Sequence, residues 1–219
     1  MKNVALIGAS GFVGNAILNE LLNRGHYVTA IVRNAAKMKV SSPNLEIKEI
    51  DVENTSAMIE TLKGKDAIIS AYNPGWSNPN MYEDTLRVYP KILDEVKASG
   101  VKRFQVVGGA GSLFVKPGLR LVDTGTLPDA WLPGVKSMAK FFLETLVNEK
   151  ELDWVFFSPA ANLGNLTAGV RTGKFRLGKD DLIVDEKGES FISVEDYAMA
   201  MVDELEQEKH HQERFTIGY

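Results

Sequence analysis

The chain has 219 residues, enough for one sizeable core, with a net charge of −4, 44% hydrophobic residues and no cysteine. That balance is typical of a soluble globular protein and offers nothing to nucleic acid. The lack of cysteine excludes disulfides, thiolate nucleophiles and zinc–thiolate sites, and is compatible with a reducing cytoplasm.

Met1-Lys2 lead directly into a strand, Lys2 to Ile7, so no leader is expected. No apolar run approaches the roughly 18 residues of a membrane span. The expectation is a cytoplasmic protein with a small-molecule substrate, no nucleic-acid or membrane partner, and an open oligomeric state. A helix follows from Phe12 to Arg24, with Ile17, Leu18, Leu21 and Leu22 at helical spacing and Gly25 placed to end it. Tyr27 to Val32 is the second strand and Leu45 to Ile50 the third. Asn54 caps a helix through Leu62. Asp66 to Ser70 is the fourth strand, followed by a loop from Ala71 to Pro79. A long helix spans Met81 to Ser99. Arg103 to Val107 is the fifth strand, a helix covers Val135 to Lys150, and Trp154 to Phe157 is the sixth strand. Beyond residue 160 the pattern changes. Leu182-Ile183-Val184 and Ser190-Phe191-Ile192 suggest a hairpin, Val194 to Glu206 a helix, and Arg214 to Ile217 a last strand.

This βαβ alternation predicts an α/β fold: a Rossmann-type doubly wound parallel sheet, with residues 160–219 as a small lid rather than a separate domain. Ligands of such sheets lie at the carboxyl ends of the strands, where strand order reverses. The residues just past each strand then matter most: Gly8 to Gly14, Arg33, Asp51, Ala71-Tyr72, Gly108 to Ser112, and Ser158-Pro159-Ala160.

The first of these carries the clearest chemistry. Gly8-Ala9-Ser10-Gly11-Phe12-Val13-Gly14 sits between a strand and a helix with its glycines spaced G-x-x-G-x-x-G. Gly8 suits a tight turn, Gly11 a close approach to a pyrophosphate, and Gly14 close packing of helix on strand. The helix N-terminus faces the phosphates. Asn15-Ala16 stand where a nucleotide triphosphatase loop needs Lys-Ser/Thr. Arg33 closes the second strand, about 20 residues past the motif, where an acidic residue selects a ribose 2′-hydroxyl and an arginine a 2′-phosphate. No carboxylate competes there, and Lys37 is nearby, so NADP(H) is favoured over NAD(H). Asp51-Val52 border the adenine, although Asp51 also suits an ordinary turn. Each aromatic near the expected nicotinamide (Tyr72, Trp76, Phe114 and Trp131) suits a planar substrate or plain packing.

The glycine motif, Arg33, Asp51-Val52, Val106 to Ser112 and Ile192-Ser193-Val194-Glu195-Asp196-Tyr197-Ala198 together resemble the atypical short-chain dehydrogenase/reductase superfamily, in its NADH-flavin reductase-like and NmrA-like branch. Bacterial members carry an epimerase/dehydratase label. Gly109, Pro159 and Ala160, just past the fifth and sixth strands, are candidate cofactor contacts by that position. Typical members use Tyr-x-x-x-Lys, the tyrosine as acid or base and the lysine on the nicotinamide ribose. Lys136 matches the lysine, but Leu132 stands in the tyrosine position, which puts alcohol–ketone chemistry in doubt. An acceptor that takes hydride without a protein acid remains: a flavin, a quinone or a similar planar ring. Lys136 and Ser112 are the candidate catalytic residues, Ser112 as a hydrogen-bond donor to substrate, and Tyr72 is a candidate displaced acid. A sugar epimerase or dehydratase and a non-catalytic NADP(H) sensor are the alternatives. His26, His210 and His211 are expected away from the strand ends, with His210 and His211 on a charged surface, and Asp180-Asp181 in a solvated turn.

Overall fold

Val4, Ala5, Leu6 and Ile7 of β1 (Asn3–Ile7) are all closed to solvent, which makes β1 the centre of the molecule. The computed structural model describes residues 1–164 and 169–219. After β1 come α1 (Phe12–Asn23), β2 (Tyr27–Val32), β3 (Leu45–Glu49), α2 (Thr55–Leu62), β4 (Ala67–Ser70), α3 (Met81–Ser99) and β5 (Arg103–Val107). A small hairpin, β6 (Phe114–Lys116) and β7 (Leu119–Arg120), precedes α4 (Leu132–Lys140), β8 (Asp153–Ser158), β9 (Arg176–Gly178), α5 (Val194–Gln207) and β10 (Glu213–Gly218).

One sheet runs β3-β2-β1-β4-β5-β8-β10-β9, parallel throughout except for the edge strand β9. Successive side chains of a strand point to opposite faces. Val4 and Leu6 therefore join the core under α1 and α5, while Ala5 and Ile7 join the core under α2, α3 and α4. Val155 and Phe157 against Trp154 and Phe156 divide the same way on β8. Strand order reverses between β1 and β4, so the crevice opens above Gly8 and Ala71.

The C-terminal region differs from the expected lid. α5 packs beside α1, and β10 extends the sheet beside β8, so residues 194–218 build the layers rather than cover them. Residues 165–168 of that region lie outside the described residues. The hairpin expected around residue 187 forms only its turn. Asp185 N–H donates to Glu189 O at 2.8 Å, but Asp181 bridges to Phe114 and Phe191 to Asn162. The helix expected from Val135 to Lys150 starts earlier and ends sooner. Pro133 is tolerated in a first helical turn, so α4 begins at Leu132. It gives way to a π-helical turn, Phe141–Thr145, and a 3₁₀ turn, Leu146–Asn148. Phe141 and Phe142 both reach the core from that wide turn. Phe141 packs on Tyr89 with ring centroids 4.7 Å apart, and Phe142 stacks on Phe156 at 4.6 Å.

Candidate active site: a dinucleotide crevice

Gly8 adopts φ +81°, a left-handed conformation that favours glycine, and a Cβ there would lie 2.6 Å from Ala71 O. A Cβ on Gly14 would lie 2.2 Å from Gly8 O, so only glycine lets α1 sit this close to the turn. Gly11 differs. Its Cβ would meet nothing nearer than Gly8 O at 3.4 Å, which leaves the space above it open. Gly11 is also the N-cap of α1 and supplies no side-chain cap. The first N–H groups of the helix, from Phe12, Val13 and Gly14, therefore have no intrahelical partner. Ser10 and Phe12 are exposed beside them. An open cradle with free backbone donors at a helix N-terminus fits a pyrophosphate.

The second and third strands end beside this cradle. Arg33 is exposed and makes no hydrogen bond or ion pair among the described residues. Asn34 Oδ1 accepts from Ala36 N–H at 2.9 Å. The carboxylate that seemed absent here is supplied by Glu49, whose Oε2 accepts from Ala35 N–H at 2.7 Å. Asp51 closes its own turn by accepting from Glu53 N–H at 2.9 Å, and Val52 is buried. Across the crevice, Tyr72 is half-buried, and burial pushes its phenol up to about 12 while Arg33 pulls it down. The phenol is thus neutral at physiological pH. It can donate a proton in a hydrogen bond but is no base.

Two tryptophans stand at the head of α4. Trp131 is its N-cap, and Trp76 lies over its first turn, where a Cβ on Gly134 would be 3.0 Å from Trp76 Cζ3. Trp76 is 61% exposed and Trp131 46%. Val135 packs on Gly111 and Met138 beside Gly109, so α4 lies against the turn that follows β5. Lys136, in the same helix, is exposed and has no hydrogen bond or ion pair among the described residues. Leu132 is the first residue of α4, so no phenol stands there. Pro159 and Ala160 are buried just past β8, and Ala71 is half-buried past β4. Phe114 is half-buried in the β6–β7 hairpin, with the Arg120 guanidinium 4.4 Å over its ring.

Ser112 is placed differently from the other candidates. It is closed to solvent, and its Oγ accepts from Arg214 at 2.8 Å. Its carbonyl accepts from both Arg214 and Arg120, at 2.9 and 2.7 Å. Arg214 is itself buried and pairs with Asp180 at 2.6 Å. Asp180 is therefore not a free turn residue, as the sequence suggested, but the counter-ion of the guanidinium that holds the post-β5 turn. Burial depresses the Arg214 pKa, and Asp180 opposes that shift.

The histidines serve the opposite end of the sheet. His26 is buried, with Nδ1 accepting from Lys2 N–H at 3.1 Å and Nε2 2.8 Å from Glu206. His210 is not the surface residue expected. Its ring stacks on Phe215 at 4.2 Å, and Nδ1 lies 2.7 Å from the buried Glu204. Among the described residues, no group of three or more His, Cys, Asp or Glu could hold a metal and no helix is long and apolar enough to cross a membrane.

The Ser193 to Ala198 stretch is structural. Ser193 Oγ caps α5 by accepting from Asp196 N–H at 3.1 Å. Asp196 accepts from Gly173 N–H at 2.9 Å and the Tyr219 hydroxyl at 2.6 Å. The Tyr197 hydroxyl donates to Phe157 O at 2.7 Å.

Known proteins agree with this geometry. A family model described as NAD(P)H-binding matches residues 8–208. An uncharacterized Bacillus subtilis protein, YwnB, is 42% identical over 98% of this chain and 97% of its own length. A crystal structure of a candidate epimerase from Bacteroides thetaiotaomicron is 58% identical, covers 100% of this chain and 97% of that one, and superposes with a TM-score of 0.93. A candidate NADH-flavin reductase from Streptococcus pneumoniae is 36% identical, with 100% and 99% covered and a TM-score of 0.83. The chain belongs to the NAD(P)H-binding family, a Rossmann-type fold of the atypical short-chain dehydrogenase/reductase kind.

Proposed function

We propose that the chain is an NADPH-dependent reductase that delivers hydride to a planar acceptor, a flavin, a quinone or a similar ring. The bound dinucleotide supplies the hydride. The N–H groups of Phe12 and Val13, with the Ser10 hydroxyl, hold the pyrophosphate over Gly11, and Gly8 and Gly14 set the shape of the turn. Arg33 takes the 2′-phosphate, and Asp51 and Val52 border the adenine. Ala71, Tyr72, Gly109, Pro159 and Ala160 line the floor at the strand ends, and Lys136 holds the nicotinamide ribose. Trp76 and Trp131 stack on the acceptor, with Phe114 at its edge. Ser112, closed to solvent, has no contact with the acceptor in this proposal. With Leu132 in the tyrosine position, the acceptor's proton comes from solvent. A cytoplasmic location, expected from the sequence, belongs to the same proposal.

The observation that carries the reading is Arg33: an exposed guanidinium without an ion-pair partner among the described residues, at the end of β2 beside an uncapped helix N-terminus. The name of the Streptococcus pneumoniae neighbour supports the acceptor class. The experiment is thermal unfolding of the wild type and Arg33→Ala with NADPH, NADH or neither, followed by NADPH turnover with a quinone and with a flavin. A ligand at a hundredfold excess over Kd adds about 2.7 kcal/mol of stability. The expected result is a large NADPH shift that shrinks in Arg33→Ala, together with turnover. Stabilisation without turnover of either acceptor would favour a non-catalytic NADP(H) sensor. No shift with either dinucleotide would overturn the reading.

A further inference from the structure

We infer that Glu49 sets the choice between a 2′-phosphate and a 2′-hydroxyl at the adenosine end of the crevice. This rests on the proposed role of Arg33. The β2–β3 register puts Glu49 opposite Val32, the residue before Arg33. From there its carboxylate reaches over the strand ends and accepts from Ala35 N–H at 2.7 Å. The next N–H groups of the turn are taken, because Ala36 donates to Asn34 Oδ1 at 2.9 Å and Lys37 to Asn34 O at 3.3 Å. Ala35 N–H is thus the donor of this turn that Glu49 holds, and an anion beside Arg33 that draws on it must displace the carboxylate. Neither Glu49 nor Arg33 makes an ion pair among the described residues, so no salt bridge neutralises either charge.

The two cofactors meet this carboxylate differently. A ribose 2′-hydroxyl can donate to it. A 2′-phosphate, carrying close to two negative charges, is repelled by it and finds Ala35 N–H occupied. NADPH must turn the Glu49 side chain away and take over its donor, whereas NADH leaves it in place. Glu49 is exposed, so water and salt screen the repulsion, and at a separation of about 4 Å and physiological ionic strength it weakens binding of a doubly charged phosphate by roughly tenfold. Arg33 attracts the 2′-phosphate and Glu49 limits the preference.

The test is calorimetric titration of the wild type, Glu49→Gln, Glu49→Ala and Arg33→Ala with 2′-AMP, 5′-AMP, NADPH and NADH, none of which requires turnover. Glu49→Gln keeps an acceptor for Ala35 N–H and removes only the charge, so the fold is retained. It is expected to bind 2′-AMP and NADPH about tenfold more tightly, with 5′-AMP unchanged and NADH unchanged or weaker. Glu49→Ala, which also frees the N–H, should do so at least as strongly. Glu49 variants within twofold of wild type for NADPH, while Arg33→Ala weakens it, would overturn the role of Glu49 and leave that of Arg33 standing. A loss of NADH affinity with NADPH unchanged would also overturn it, making Glu49 only a ribose acceptor. NADPH binding that ignores Arg33→Ala would remove the 2′-phosphate reading itself.

Discussion

The Tyr89 hydroxyl, inside the protein, donates to the backbone carbonyl of Tyr72 at 2.8 Å. That carbonyl follows the Ala71–Tyr72 peptide, against which Gly8 is pressed. Tyr89 also meets the Tyr72 ring edge-on at 5.7 Å and packs on Phe141 at the start of the π-helical turn. One buried phenol thus ties the wall of the glycine turn to α3 and to the end of α4. Burial raises the Tyr89 pKa, so the hydroxyl stays a donor at any working pH. Tyr89→Phe keeps the ring and removes the donor. It is expected to cost about 1–2 kcal/mol in urea unfolding, because the carbonyl loses its partner. It should also weaken NADPH binding several-fold. Unchanged cofactor affinity at reduced stability would confine Tyr89 to packing.

Gly11 and Gly14 are expected to part company when each is changed to alanine. At Gly14 the new methyl would overlap Gly8 O, a backbone atom that cannot swing aside. Overpacking of this kind costs about 1–3 kcal/mol, and dinucleotide binding should go with it. At Gly11 the methyl meets nothing closer than 3.4 Å, and φ is −76°, which alanine adopts freely. Gly11→Ala should therefore lie within about 0.5 kcal/mol of wild type in the absence of ligand. Its thermal shift with NADPH should nevertheless be largely lost, since the methyl would enter the proposed pyrophosphate site. Equal loss of stability in both variants would contradict an open cradle above Gly11.

Much of this arrangement could be read from the chain because it is local. β1 is a short apolar run that enters a glycine turn, and α3 keeps one apolar stripe, Val88, Ile92 and Val96, through to its stop at Gly100. The Rossmann-type sheet follows from repeating such units. What escaped depends on long-range register. Glu49 reaches Ala35 only because β3 pairs with β2 one particular way, which spacing along the chain does not encode. Asp180 looked like a solvated turn residue because its partner, Arg214, lies 34 positions away on the last strand. β9 is three residues long and pairs antiparallel at the sheet edge, too short for alternation to mark it. The π-helical turn escaped because Phe141 and Phe142 continue an apolar helical pattern, and the partners they pack on, Tyr89 and Phe156, belong to other elements.

Acid should loosen the start of α5. Burial pushes the Asp196 carboxyl up, but bonds from Thr172, Tyr219 and the Gly173 N–H outweigh it and hold its pKa below the usual aspartate value. A carboxyl depressed in the folded state stabilises the protein above its unfolded pKa of about 3.9, and that contribution is lost as pH falls through the folded value. Wild-type stability should accordingly fall below about pH 4. Asp196→Asn should be less stable at neutral pH by about 1–3 kcal/mol, since an amide cannot accept from all of these donors. Its stability should also fall less steeply in acid. Parallel urea-unfolding profiles from pH 7 to 3 for the two proteins would refute this.

Arg214 is the residue on which the post-β5 turn depends, and Asp180 matters less although the two form one pair. The guanidinium gives two hydrogen bonds to Ser112, lies 4.9 Å over the Phe142 ring, and is 3% exposed, whereas Asp180 is 48% exposed. Asp180→Asn keeps an oxygen acceptor and removes a charge that solvent already screens, so it should cost no more than about 1 kcal/mol. Arg214→Gln loses both bonds to Ser112 and leaves its buried Oγ without a donor, for about 2–3 kcal/mol. Arg120 still holds the Ser112 carbonyl, so the turn should shift rather than collapse. Arg214→Lys should not restore it, because an ammonium cannot span Ser112 and Asp180 as the planar fork does. Urea midpoints order the three variants. The KM for a quinone, measured at saturating NADPH, should rise in Arg214→Gln and Arg214→Lys and stay near wild type in Asp180→Asn. The turn that Arg214 holds is the one against which α4 packs, and the head of α4 carries Trp131 and Lys136.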